Sequence, residues 1–360
     1  MAVRIRTTSR FRSAANQTIG SASLLVGNNI GVKLHRFDWF PGAGNFGAKQ
    51  TDSSLGALGE VRAIAWDEAA RNAVVAVGSS TTATGPNDHK VFRLTQAGLI
   101  PISTVTITGS ANSVAIDPVE GVAVITSYAS ATGGSMFQYS QNGFGSLITN
   151  SNSGGATVAV AISPATKRVA YGKSTTPRVT LQPYSRDMGL AGPIVWTYQG
   201  SDSPLGEPGL YTVSAAAFNA DGSRLIVGYS SLKRIGVYET DRMATDGLFL
   251  QEQTFTFDST VLAVKLNLQE TMLAVAGNTA VFVYRWDGAI ISELRGVTPP
   301  GTVRSVDWSP DGKYLAVGLS SSPWVQVYRV DDTGISFACP NPTWAVENGA
   351  GIVNVVKFAY

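Results

Sequence analysis

The chain has 360 residues, 44% of them hydrophobic and only 14% charged, against roughly a quarter charged in ordinary soluble domains. Its 27 Lys and Arg against 25 Asp and Glu leave a net charge of +2, too small a field to recruit DNA, RNA or an anionic membrane. A single cysteine, Cys339, excludes an intrachain disulfide scaffold, and two histidines, His35 and His89, are too few for a three-histidine metal centre.

Residues 1–19 read as an N-terminal extension. Arg4, Arg6, Arg10 and Arg12 are not followed by an apolar run, so no signal peptide is expected, and no stretch of 18 apolar residues predicts a transmembrane segment. Asn16-Gln17-Thr18 is an isolated glycosylation sequon that carries little weight without an export signal. Two short apolar strands follow, SASLLVGNN at 21–29 and GVKLHRF at 31–37. The glycine-rich stretch 39–46 then sets Trp39, Phe40 and Phe46 in a predicted loop, either tucked against the fold or exposed to a partner.

From residue 60 onward one unit recurs: an apolar strand, a turn rich in Pro, Asp and Gly, a strand ending near Val-Gly, and a strand carrying an aromatic. The clearest copy is TVRSVDWSPDGKYLAVGLSSSPWVQVYRV at 302–330, with others beginning at 60, 110, 156, 212 and 260. The large residue closing each first strand falls at Trp66, Ile116, Ile162, Phe218, Leu266, Trp308 and Phe358, in steps of 50, 46, 56, 48, 42 and 50 residues. Such spacing suits four-stranded propeller blades of roughly 40–50 residues and not solenoid repeats of ~20–35. The chain stops at GIVNVVKFAY, a first strand with no successor, while its start supplies a second and third strand with no first. Joining the two termini in one blade closes the ring and removes a sheet edge.

The expected fold is therefore an all-β, seven-bladed propeller of four-stranded antiparallel blades. It forms a single domain over 20–360, with blades at 20–58 plus 350–360, 59–108, 109–154, 155–209, 210–257, 258–300 and 301–349. The turns Ser309-Pro310-Asp311-Gly312 and Asn219-Ala220-Asp221-Gly222, each between an apolar strand and a Val-Gly strand, resemble those of the WD-repeat family of β-propellers. No copy carries the family's Gly-His dipeptide, and Trp286-Asp287 is the nearest approach to its closing Trp-Asp, so the resemblance implies a divergent WD-repeat-like propeller.

Aligning the repeats assigns jobs to columns. Ile64, Val114, Val160, Ala216, Val264, Val306 and Val356 are expected between blades, and the small residues just before them suit the crowded axis. Phe92, Tyr139, Tyr184, Tyr238, Tyr284 and Tyr328 form an aromatic column that places His35 as a packing substitute, while His89 is expected in solvent. Asp67 and Asp117 read as turn formers. Outer strands are predicted from residues 99, 193, 248 and 335, and 200–209 as an insertion loop.

The column facing the channel runs Arg62, Asn112, Val158, Ser214, Leu262, Arg304, Asn354 and holds no carboxylate. Its arginines could bind an anion or peptide backbone, or simply line a wet channel. No catalytic residues, metal or cofactor are expected from this composition. The leading expectation is a non-enzymatic protein-interaction propeller, with Trp39, Phe40, Phe46, Arg62 and Arg304 as candidate partner-binding residues. Low charge and 9 lysines against 18 arginines resemble bacteriophage virion proteins, which implies other virion proteins as partners and a virion or cytoplasmic location. The alternative is a propeller-type binder or enzyme acting on a sugar, lactone or other small molecule at the central channel.

Overall fold

The structure, a computed structural model, describes residues 22–29, 34–40, 45–52, 59–78, 86–127, 133–152, 156–174, 179–187, 196–197, 212–230, 233–241, 251–256, 260–288, 290–339 and 351–360. The N-terminal extension 1–19, the insertion 200–209 and the tip 41–44 of the aromatic hairpin lie outside them.

Seven four-stranded antiparallel sheets form the blades of a propeller. In six of them the strands follow chain order outward from the axis, beginning with Glu60–Asp67, Ala111–Asp117, Thr157–Ser163, Val213–Phe218, Val261–Leu266 and Val303–Trp308. In the remaining sheet, the first blade, the C-terminal strand Val353–Ala359 is innermost and pairs antiparallel with the N-terminal strand Ala22–Asn28, with Phe358 opposite Leu24 and Val356 opposite Val26. Each innermost strand packs beside the next, and Val353–Ala359 touches both Val303–Trp308 and Glu60–Asp67, which closes the ring. Shared between the termini, this blade covers the edge of Ala22–Asn28 that would otherwise be left unpaired.

The described apolar core is divided into seven clusters, each lying between neighbouring blades. Val264, Val306 and Val356 are almost wholly buried in three of them, as the column of apolar residues requires. Trp308 is buried between the sixth and seventh blades, and its indole N–H donates to the Lys265 carbonyl at 3.0 Å. The Gly that ends many second strands has a steric reason: a Cβ on Gly228 would lie 2.6 Å from Val261 Cγ1, and one on Gly318 would lie 2.8 Å from Val353 Cγ1. Only glycine lets the first strand of the next blade approach so closely.

Turn chemistry ties blades together as well. Asp117 Oδ1 accepts the N–H groups of Val119 and Glu120, both at 3.0 Å, while Oδ2 accepts the Tyr184 hydroxyl at 2.6 Å and Lys167 Nζ at 2.8 Å from the following blade. Asp67 repeats the device with Ala70 N–H at 3.1 Å and the Tyr139 hydroxyl at 2.9 Å. Both aspartates form turns as expected, and their second oxygen clamps the neighbouring blade.

The strand register corrects the aromatic column. Phe92, Tyr238, Tyr284 and Tyr328 sit opposite the second-strand residues Ala73, Leu225, Leu273 and Leu315, which in turn face the large closing residues. In the closing blade that place belongs to Phe37, opposite Leu24, and His35 lies opposite Val26 instead. Phe137 takes it in the third blade and Gln182 in the fourth, so Tyr139 and Tyr184 stand two residues further on, where their hydroxyls reach the preceding blade. His35 is buried with Asn28 Nδ2 at 3.2 Å from its Nε2. His89 is also buried, contrary to the expectation of solvent: its Nδ1 accepts the Val77 N–H at 3.0 Å. Burial pushes its pKa down to about 4 against the opposing charge of Asp88, so the ring is neutral.

Candidate functional site: the central channel

The seven inner strands enclose a cavity of about 460 Å³, within the range of small-ligand sites. Asn112, Ser214 and Asn354 line it but spend their polar groups on the walls. Asn112 Nδ2 donates to the Thr157 carbonyl at 3.1 Å, Ser214 Oγ to the Val261 carbonyl at 2.6 Å and Asn354 Nδ2 to the Val61 carbonyl at 3.1 Å. Each bond joins one inner strand to its neighbour, which satisfies carbonyls that strand pairing leaves open at the axis.

Arg62 and Arg304 both line this cavity, so of the five sequence-predicted site residues these two are brought together. Arg62 pairs with Glu60 at 2.8 Å, and Arg304 is exposed to the lumen. Trp39, Phe40 and Phe46 lie elsewhere, on paired strands with Trp39 opposite Phe46 and not in a loop. Trp39 is fully buried, its ring 4.9 Å from Phe46, 5.2 Å from Tyr314 and 6.2 Å from Phe358. Of the three aromatics only Phe40 is exposed.

Three lumen residues escaped the sequence analysis: Lys265, Asp307 and Lys357. They lie three positions beyond the Arg62 column, at the register level occupied by Ala65, Ala115, Ala161 and Ala217 in the other blades. Three charges in a column that is otherwise alanine were the available signal. The carboxylate-free channel is thus corrected, because Asp307 reaches the lumen as the sole carboxylate among its lining residues. Lys357 Nζ lies 3.0 Å from both oxygens of Asp307, and the Phe358 N–H donates to Oδ2 at 2.8 Å. Four basic side chains, Lys265, Arg304, Lys357 and Arg62, therefore line one side of the lumen on four consecutive inner strands, with that single carboxylate among them.

Lys265 is exposed to the lumen, inside the ring of inner strands. That enclosure, joined by the like charge of Lys357 and opposed by Asp307, holds its amine below the usual lysine range. Among the described residues no group of three or more His, Cys, Asp or Glu side chains is assembled, and no helix is long and apolar enough to cross a membrane.

Comparison with known proteins agrees with the propeller. The WD domain, G-beta repeat family matches residues 290–328, within the sixth and seventh blades, and a WD-repeat-like β-propeller is the class these observations define. No curated protein sequence matches. Among solved structures, one from Bacteroides fragilis described as a candidate 6-phosphogluconolactonase superposes with TM-score 0.73 at 13% identity, covering 96% of this chain and 99% of that one. The periplasmic gluconolactonase of Pseudomonas aeruginosa gives 0.71 at 15% identity, covering 95% and 99%. A Lactobacillus plantarum protein gives 0.70 at 15%, covering 95% and 100%. At these identities the likeness is one of fold. The expectation of a non-enzymatic virion component is corrected by two of these full-length counterparts, which carry a lactonase activity in their names.

Proposed function

We propose that this propeller is an enzyme that opens a sugar lactone, or a closely related cyclic ester, in its central channel. The observation that carries this reading is the lumen itself, a small-molecule-sized cavity lined by four basic side chains and one carboxylate. Hydrolysis of a lactone builds negative charge on the carbonyl oxygen in the transition state and leaves a carboxylate as product. Fixed cations in an enclosed site stabilise both more strongly than water does, because their orientation costs nothing at the moment of reaction. Asp307 holds the Lys357 ammonium in place for that purpose, and the arginines add charge along the same wall. The lactonase names of the structural counterparts support the choice of substrate class.

The test is titration of acid release from glucono-δ-lactone and from its phosphorylated analogue, corrected for spontaneous opening. Enzyme-dependent hydrolysis is expected, and the Arg62→Ala/Arg304→Ala double variant should lose at least about tenfold in kcat/KM for the anionic substrate, one charge-assisted contact being worth about 1.5–3 kcal/mol. Calorimetric binding of the lactone without turnover would reduce the protein to a binding module. Neither binding nor turnover would overturn the reading.

A further inference from the structure

Lys265 differs from the other basic residues of the lumen. Arg62 is engaged by Glu60 and Lys357 by both oxygens of Asp307, whereas no described residue offers Lys265 Nζ a hydrogen bond or an ion pair. The charged groups around it can be named strand by strand. Val303–Trp308 contributes Asp307 and Arg304, Val353–Ala359 contributes Lys357, and Glu60–Asp67 contributes Arg62 with its partner Glu60. The remaining inner strands place Ala115, Ala161 and Ala217 at its level, and its own sheet neighbour places Ala274 opposite. A single unpaired amine thus faces an uncharged wall across the cavity, with an ammonium and its fixed counter-ion to one side.

We infer that Lys265 is the general base of the channel, taking a proton from the water that attacks the substrate carbonyl. This rests on the lactone-opening reading above. In the first step a water O–H bond breaks, its proton passes to the neutral Lys265 amine, and the oxygen bonds to the carbonyl carbon while the C=O π pair moves onto oxygen. The oxyanion so formed lies within the field of the Lys357 ammonium. In the second step that pair re-forms the C=O bond, the ring C–O bond breaks, and the departing alkoxide takes the proton back from the Lys265 ammonium. The product acid then releases its proton to solvent, so the net change is lactone plus water to hydroxycarboxylate plus a proton. A neutral amine is required at the start, which the enclosed position and the like charge of Lys357 favour.

Two variants and one direct measurement test this. Lys265→Met and Lys265→Arg should both lower kcat for glucono-δ-lactone by about 10²–10⁴-fold with a smaller change in KM, and both should lose the fall in rate that the parent shows on acidification. The arginine variant discriminates, because it keeps a long basic side chain in the cavity but, always protonated, cannot act as a base. Melting temperatures recorded alongside establish that the variants fold. On the parent protein, the pH dependence of acetylation at each of the 9 lysines, read by mass spectrometry, should place the Lys265 midpoint below that of surface Lys313. Retained kcat in Lys265→Arg, or a Lys265 midpoint equal to that of Lys313, overturns the role of Lys265 while leaving the lactonase reading in place. A parent chain inert toward lactones overturns both.

Discussion

Asp117 shows how one side chain serves two ends. Its burial alone would raise the carboxyl pKa, but the Lys167 ammonium, the Tyr184 hydroxyl and the Glu120 N–H outweigh that and hold it below the usual aspartate value. A folded pKa below the unfolded one means that this stabilisation is complete above the unfolded value, near pH 4, and is lost as pH falls through the folded value. His89 has the same sign over a different window: folded at about 4 and unfolded near 6.5, it makes stability decline as pH drops from 6.5 towards 4. Denaturant midpoints measured from pH 7 to 3 should fall in both ranges. In Asp117→Asn the loss below pH 4 should be attenuated, and an unchanged acid limb would show that the clamp contributes nothing. Trp308 belongs to the same scale. Removing its ring from the interblade core, along with the hydrogen bond to the Lys265 carbonyl, should cost about 3–5 kcal/mol in Trp308→Ala. A midpoint equal to the parent's would contradict its placement.

At the scale of strands, the C-terminal strand is the element on which closure depends. Val353, Val356 and Phe358 are buried in the cluster between the seventh and first blades, and Asp307 and Ser305 of the neighbouring strand bind its backbone N–H groups. Deleting residues 352–360 should expose the edge of Ala22–Asn28 and yield oligomers in size-exclusion chromatography together with a lower melting temperature. A monomer of parental stability would refute closure by this strand. The repeat made blade number and the shared blade legible, since large residues about every 49 positions and a broken copy at each end are one-dimensional patterns. Register was less legible. His35, Tyr139 and Tyr184 are aromatic or ring-bearing residues near the right place, but a displacement of two residues keeps the same sheet face, so alternation alone cannot detect it. Outer strands such as Asn45–Asp52, Gly143–Asn152 and Ile290–Val297 were missed for a related reason: at the rim of each blade they pair with a single strand, and their patterning is weak.

For the whole molecule, the decisive feature is what seven inner strands present to one another. Arg62 and Arg304 were legible as lumen residues because they share a column with Asn112, Ser214 and Asn354. Lys265, Asp307 and Lys357 were not, being distributed over three blades and separated by 42 and 50 residues along the chain. Each looks like an ordinary charge at the end of a strand. The sequence by itself determined the all-β class, the seven blades and their closure, because period and strand pattern depend on local spacing, which a linear reading preserves. Only the tertiary structure decided that two lysines and an aspartate meet in one cavity, that Asn112, Ser214 and Asn354 bind wall carbonyls, and that His89 is buried. Such relations are fixed by the rotation from blade to blade around the axis, a three-dimensional quantity with no trace in the spacing of any single repeat.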